Sequence, residues 1–258
     1  MQYVRYHANG KTAYGILKNN TVWELSGNIF GKHKQTGKRV ALSKAKLLYP
    51  VKPGTMIAIG LNYKSHVGDR PGPSKPEMFL KTPTSLVDPE GDIRIPKVSN
   101  GNVHYEGELV IVIGKKGKHI PADKASEYIF GYTCGNDVSE RDWQGGSASH
   151  EKDLQWARAK SSDTFSPLGP AIATDVDPRN LHLQTRHNGK VVQEQNTSDL
   201  IYDVYAIVAQ VSQTMTLEPG DVIFTGTPGH TEKMAPGDVV EVDIKGIGVL
   251  RNHVKAEA

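Results

Sequence analysis

The order of apolar and polar positions along the 258-residue chain predicts mainly short strands. Residues 3–6 and 13–17 read as strands on either side of Asn9-Gly10, a pair that tolerates the positive φ of a tight hairpin turn. Residues 21–25 read as a third strand, and the weakly patterned basic stretch 32–46 as a solvated face. Two prolines and a glycine in Tyr49-Pro50-Val51-Lys52-Pro53-Gly54 mark a boundary between a small N-terminal β domain, residues 1–50, and a larger domain, residues 51–258. In the larger part, residues 56–59 and 109–113 are unbroken apolar runs, as in strands covered on both faces. Residues 121–128 suit a short helix with proline in its first turn, and 128–134 an apolar strand. Residues 181–194 suit a hairpin turning at Asn188-Gly189, and 222–225 and 239–244 are strand-like. One strong helix is predicted: Leu200, Ile201, Val204, Ile207, Val208 and Val211 share a face, with Thr197 or Ser198 as its cap. The class is α+β, mainly β, without the alternation of a βα repeat.

Composition narrows the function. With 37% hydrophobic and 23% charged residues, a chain of this length buries a core without covalent staples. Cys134 is the only cysteine, which excludes an intramolecular disulfide and any cysteine-cluster zinc site. A net charge of +3 is too balanced for a nucleic-acid footprint, and no apolar run reaches the ~18 residues of a membrane helix. Residues 1–10 lack the apolar centre of a secretory signal, so a cytoplasmic protein with no membrane or nucleic-acid partner is expected.

Five segments carry candidate chemistry. In His104-Tyr105-Glu106-Gly107-Glu108, strand alternation places Glu106 and Glu108 on one face, directly before the most apolar run of the chain. The pair reads either as an exposed edge strand or as ligands for a hard cation, for which all-oxygen ligation suits Mg²⁺, Mn²⁺ or Ca²⁺. Asp137 ends an apolar strand and reads as a third ligand or a helix cap. Arg141 and Gln144, three apart on a helix, could grip a carboxylate, or Arg141 could pair with a neighbouring acid. His66 and Asp69, one helical turn apart, suit an imidazole oriented by a carboxylate, although His-x-x-Asp is also a common surface coincidence. Lys160, in Ala159-Lys160-Ser161-Ser162-Asp163, and Thr227, in Phe224-Thr225-Gly226-Thr227-Pro228-Gly229, are ordinary loop residues on spacing alone.

Taken in order, these strings resemble the fumarylacetoacetate hydrolase family from about residue 55 to about residue 254. The resemblance rests on Gly60-Leu61-Asn62-Tyr63 with His66, Phe79-Leu80-Lys81, Tyr105-Glu106-Gly107-Glu108-Leu109, Asp137-Val138-Ser139-Glu140-Arg141-Asp142 with Gln144, Lys160-Ser161 with Asp163-Thr164-Phe165, and Thr225-Gly226-Thr227-Pro228. It implies a mixed β-roll or β-sandwich catalytic domain behind a small N-terminal domain, usually as a homodimer. It implies Mg²⁺ or Mn²⁺ held by Glu106, Glu108 and Asp137, and catalysis by His66, Asp69 and Lys160. Tyr63, Lys81, Arg141, Gln144 and Thr227 are the implied contacts to a small 2-oxo acid substrate. The implied reaction is cleavage of a C–C bond beside the 2-oxo acid through a metal-stabilised enolate, as hydrolysis of an acylpyruvate or fumarylpyruvate or as decarboxylation of oxaloacetate. Isomerisation or decarboxylation of unsaturated 2-oxo dioates from aromatic catabolism is the alternative, and a metal-binding protein without catalysis is a third. The chain departs from the commoner family pattern at Asp69, where many members have glutamate, and at Gly229-His230-Thr231. Gly68 and Arg70-Pro71-Gly72-Pro73 weaken any helix around the histidine, and the stretch is expected to order as a lid over substrate.

Overall fold

The structure, a computed structural model, describes residues 1–69 and 71–258. Alternating and fully apolar segments pair into two large sheets that share a core, beside a two-stranded ladder of Val103–His104 and Ser139–Glu140. The larger, twelve-stranded sheet has a main path that runs His33–Ala41, Thr21–Gly27, Lys11–Lys18, Gln2–Ala8, Ser166–Ala173, Ile129–Asn136, Gly107–Ile113, Val222–Phe224, Met56–Gly60 and Glu77–Lys81. The smaller has five strands in the order Lys190–Asn196, His182–His187, Val239–Ile244, Gly248–Ala256 and Asp92–Ile95. The hairpin turns at Asn9 and Gly10, both at positive φ. The basic stretch forms the outermost strand, exposed along most of its length. The strands of the first fifty residues continue the large sheet, because Gln2 and Tyr3 pair with Ala173 and Ile172.

The strand Gly107–Ile113 is buried at every position, and its two faces enter two different cores. Leu109, Ile111 and Ile113 pack with Leu183, Val242, Ile244 and Leu250 of the smaller sheet; Val110 and Val112 pack with Met56, Ala58, Leu168 and Phe224. Burial on both sides is why this strand reads as an unbroken apolar run instead of an alternating one. Truncating it in the middle is correspondingly costly. Ile111→Ala is expected to lower unfolding stability by about 2–5 kcal/mol in a denaturant titration, since Ile111 is fully buried and paired on both sides.

Among the described residues the α-helices are α1 (Lys64–Val67), α2 (Arg141–Gly145), α3 (Ala157–Ser161) and α4 (Val204–Thr214). The helix predicted from the apolar face is α4, and Val204, Ile207, Val208 and Val211 join the core as expected. Its start lies later than the pattern suggested, because Asp203 caps it by accepting from the amides of Tyr205 and Ala206. Leu200 and Ile201 precede it: the Ile201 amide donates to the Asn62 carbonyl (2.8 Å), which ties this stretch to a loop across the sheet. Among the described residues no helix is long and apolar enough to cross a membrane.

Candidate active site

Glu106 and Glu108 flank Gly107 at the start of the central strand, where the neighbouring strand ends at Asn136 and Asp137 follows it. Asn136 Oδ1 accepts from the Glu106 amide (2.8 Å), and the Asp137 amide donates back to the Glu106 carbonyl (2.9 Å). The result brings one carboxylate oxygen from each of Glu106, Glu108 and Asp137 within 4.8 Å of one another, all three residues being buried. Gly107 has a structural reason to separate the glutamates, since a Cβ there would lie 2.0 Å from Thr185 Oγ1 of the smaller sheet. Gly107→Ala is therefore expected to cost about 1–3 kcal/mol in denaturant titration and to weaken Mn²⁺ binding, as the two glutamates are pushed off register.

Three carboxylates this close repel one another unless cations intervene. Lys160 Nζ lies 2.6 Å from Glu106 Oε2 and 2.7 Å from Asp137 Oδ2. Lys81 Nζ is 2.5 Å from Asp137 Oδ1 and also donates to the Lys160 carbonyl. Arg141 reaches Glu106 Oε1 at 2.5 Å. Burial raises the Glu106 carboxyl, but Lys160 and Arg141 outweigh it and hold the group well below the usual carboxylate range. Burial also lowers Lys160, and its two carboxylate partners more than reverse this; for Lys81 burial dominates and the amine is depressed. Among the described residues no cation contacts Glu108. Its hydrogen-bond donor is the Gly226 amide (2.7 Å), and burial, then Asp137 and Glu106, push its carboxyl well above the usual range. A buried all-oxygen donor set with one uncompensated carboxyl fits a hard divalent ion such as Mg²⁺ or Mn²⁺. These groups open onto a cavity of about 140 Å³ that His66, Arg141, Gln144, Trp156 and Thr227 also line.

Residues 55–255 match the family described as fumarylacetoacetate (FAA) hydrolase C-terminal, and residues 1–50 match a domain described as Rv2993c-like, N-terminal. The chain belongs to the fumarylacetoacetate hydrolase family. It is 42% identical over 225 residues to a protein from Xenopus laevis named as a mitochondrial oxaloacetate tautomerase, covering 82% of this chain and 69% of that one. The 5-carboxymethyl-2-hydroxymuconate delta-isomerase from Mycobacterium smegmatis superposes over 100% of both chains with a TM-score of 0.92 and 41% identity. The maleylpyruvate hydrolase from Sphingobium sp. SYK-6, solved with manganese(II) and pyruvate, does so over 100% of both chains with a TM-score of 0.81 and 26% identity. Enzymes of this family thus include hydrolases, isomerases and tautomerases, and this member carries a buried acidic triad able to hold a metal.

The residues singled out in this family member fall into three groups. Glu106, Glu108, Asp137, Lys160, His66, Arg141, Gln144 and Thr227 converge on the cavity. Arg141 Nη1 donates to Gln144 Oε1 at 2.5 Å, so the shared helix face is realised on α2. Asp137 is not a helix cap; Glu140 takes that place, accepting from the Trp143 amide. Lys81 is fully withdrawn behind Asp137 as its counter-ion, and Tyr63 is buried with its hydroxyl unpaired among the described residues. The His66–Asp69 dyad is not formed. Helix α1 ends at Val67, Gly68 turns away at φ 63°, and Asp69 faces solvent with no ion pair to His66. His66 Nδ1 instead lies 2.5 Å from the Gly229 carbonyl. Arg70, in the expected lid, lies outside the described residues.

Other site residues gave no signal in the sequence. Gln193, buried on the strand Lys190–Asn196, donates to Thr227 Oγ1 (2.9 Å) and the Pro228 carbonyl (2.7 Å). Thr227 in turn donates to the Gly107 carbonyl (2.9 Å), so its hydroxyl proton is committed to the scaffold. Gly226, at φ 101°, aims its amide at Glu108, and a Cβ there would come within 2.9 Å of Asn62 Cβ. Trp156 walls the cavity, its ring against Gly60 and edge-on to Phe79 at 5.3 Å.

Proposed function

We propose that this chain is a Mg²⁺- or Mn²⁺-dependent enzyme that moves a proton within an enolisable 2-oxo acid, interconverting keto and enol forms or shifting a double bond. The observation that carries this reading is His66, which lines the cavity of carboxylates and cations with its Nδ1 fixed by the Gly229 backbone carbonyl. A carbonyl only accepts, so Nδ1 carries a proton toward Gly229, and Nε2 is the ring atom assigned to take the substrate proton. One such base suffices to lift and return a proton, whereas hydrolysis also needs a water activated by a strengthened base.

Held by Glu106, Glu108 and Asp137, the divalent ion supplies Lewis-acid polarisation of substrate oxygens. Lys160 keeps Glu106 ionised, holds Glu106 and Asp137 in place, and sets a fixed positive charge beside the oxygen that becomes negative as the proton leaves. Arg141 and Gln144 present a side-by-side pair of polar groups to a substrate carboxylate. Trp156 and Leu61 give this side of the cavity an apolar wall.

Decarboxylation is a second reading, favoured over hydrolysis by the exposed Asp69: it passes through the same negative oxygen and needs no activated water. Assembly as a homodimer is part of the same proposal. The test is to mix the Mg²⁺-loaded chain with enol-oxaloacetate, fumarylpyruvate and acetylpyruvate, following ultraviolet absorbance and product mass. Accelerated loss of the enol signal at unchanged mass is expected. Release of carbon dioxide or pyruvate would replace the proposal by C–C cleavage, and no turnover with metal bound would leave a binding protein.

A further inference from the structure

Behind Arg141 lies a chain of side chains whose hydrogen bonds all run one way. Asn102 Nδ2 donates to Asp142 Oδ1 (2.7 Å), which fixes the orientation of the Asn102 amide, because a carboxylate only accepts. Asn102 Oδ1 therefore faces His104 Nε2 (2.9 Å), and that nitrogen must carry the ring proton. The neutral ring then accepts at Nδ1, where Thr231 Oγ1 lies 3.0 Å away, so Thr231 spends its single proton on His104. Its lone pairs are left for Arg141 Nη2, a pure donor, at 2.7 Å. With the His104 ring neutral, every polarity follows from the one before, from Asp142 to the guanidinium.

The backbone locks the same parts together. The Arg141 amide donates to the Asn102 carbonyl (2.9 Å), and the Met234 amide to the Val103 carbonyl (2.8 Å). His104 bridges to Lys233 on one side and pairs with Ser139 on the other. Neither His104 nor Thr231 lines the cavity; Arg141 does, with its guanidinium against Glu106 and Gln144.

We propose that His104 and Thr231 are positioning residues, a directed relay that holds the Arg141 guanidinium in the orientation that grips the substrate carboxylate. The substrate part of this rests on the proposed function; the relay itself does not. An arginine has many rotamers, and fixing one in advance removes an ordering cost from binding. The stretch Gly229-His230-Thr231, where this sequence leaves the commoner family pattern, acquires a purpose: Thr231 supplies an acceptor to arginine and a donor to histidine at once.

The experiment uses Mg²⁺-loaded full-length chain labelled with ¹⁵N-histidine, with His104 assigned by its missing signal in His104→Gln. The expected spectrum has His104 protonated at Nε2 and bare at Nδ1. Thr231→Val should shift the Nδ1 signal and raise the Kd for pyruvate and the KM for oxaloacetate roughly tenfold, the scale of one hydrogen bond to a charged group, with kcat changed much less. Thr231→Ser should restore both. A ring protonated at Nδ1, or Thr231→Val binding pyruvate as tightly as wild type, would overturn the relay. If wild type turns over no 2-oxo acid, the proposed function fails while the tautomer and pyruvate binding still decide the relay.

Discussion

Glu108→Gln is expected to separate folding from metal binding. Glu108 is the one carboxyl of the triad without a cationic partner, and its folded pKa is raised by burial and then by Asp137 and Glu106. In the metal-free chain that shift favours its neutral form, and glutamine copies that form in shape and charge. The substitution should leave metal-free stability equal to wild type or above it. The direction with pH follows from the sign of the shift. A carboxyl with a raised folded pKa contributes stability that is full below its unfolded value, near pH 4, and lost as pH rises through the folded value. Metal-free wild type should therefore fall behind Glu108→Gln as the solution is made alkaline, and the two should converge in acid. Metal reverses the ranking, since it needs the ionised carboxylate. Mn²⁺ affinity should drop by about 100-fold or more, at least the loss seen when mere supporting groups around a metal are removed. Calorimetric titrations over a pH series measure both quantities, and wild-type affinity should climb with pH as the Glu108 proton is displaced.

Lys160→Met should produce the opposite combination. Lys160 bridges Glu106 and Asp137, and methionine fills its space without charge. Removing one partner from a buried ion pair costs about 3–5 kcal/mol, because the other charge stays buried and uncompensated. Lys81 remains on Asp137 and Arg141 on Glu106, so the chain should fold, at the low end of that range. Saturating Mn²⁺ should recover a large part of the loss, since a ligand that binds only the folded chain stabilises it in proportion to the logarithm of its excess over Kd. Activity should not recover with it. A preorganised donor at a developing negative oxygen contributes about 10²–10³ in rate, and kcat of the metal-saturated variant should fall by that amount. Thermal melts with and without Mn²⁺, beside kcat, separate the two effects.

The legible parts of this molecule were those set by neighbours in sequence or by strand pairing. The run Leu109 to Ile113 could only be a covered strand, and Glu106, Glu108 and Asp137 meet because two adjacent strands begin and end at the same level. What could not be read depends on contacts between distant segments. Gln193 reaches Thr227 only because the smaller sheet crosses the start of the central strand, and a glutamine in a strand carries no mark of that. Lys81 sat in a recognisable string, yet its place behind Asp137 depends on where the strand Glu77–Lys81 ends in space. His66 and Asp69 have helical spacing, but α1 stops after one turn and the spacing has nothing to act on. The start of α4 was obscured in the same way, because Asn62, far away in the chain, draws Ile201 and Tyr202 out of helical geometry.

Exchange of the C3 hydrogens of oxaloacetate for deuterium, followed by proton NMR in heavy water, tests metal-dependent proton transfer at the triad most directly. With Mg²⁺ the wild-type chain should exchange them well above the buffer rate, while the metal-free chain and Glu108→Gln should stay at that rate. Exchange at the buffer rate in the metal-loaded wild type, or acceleration that survives both metal removal and Glu108→Gln, would contradict the assignment.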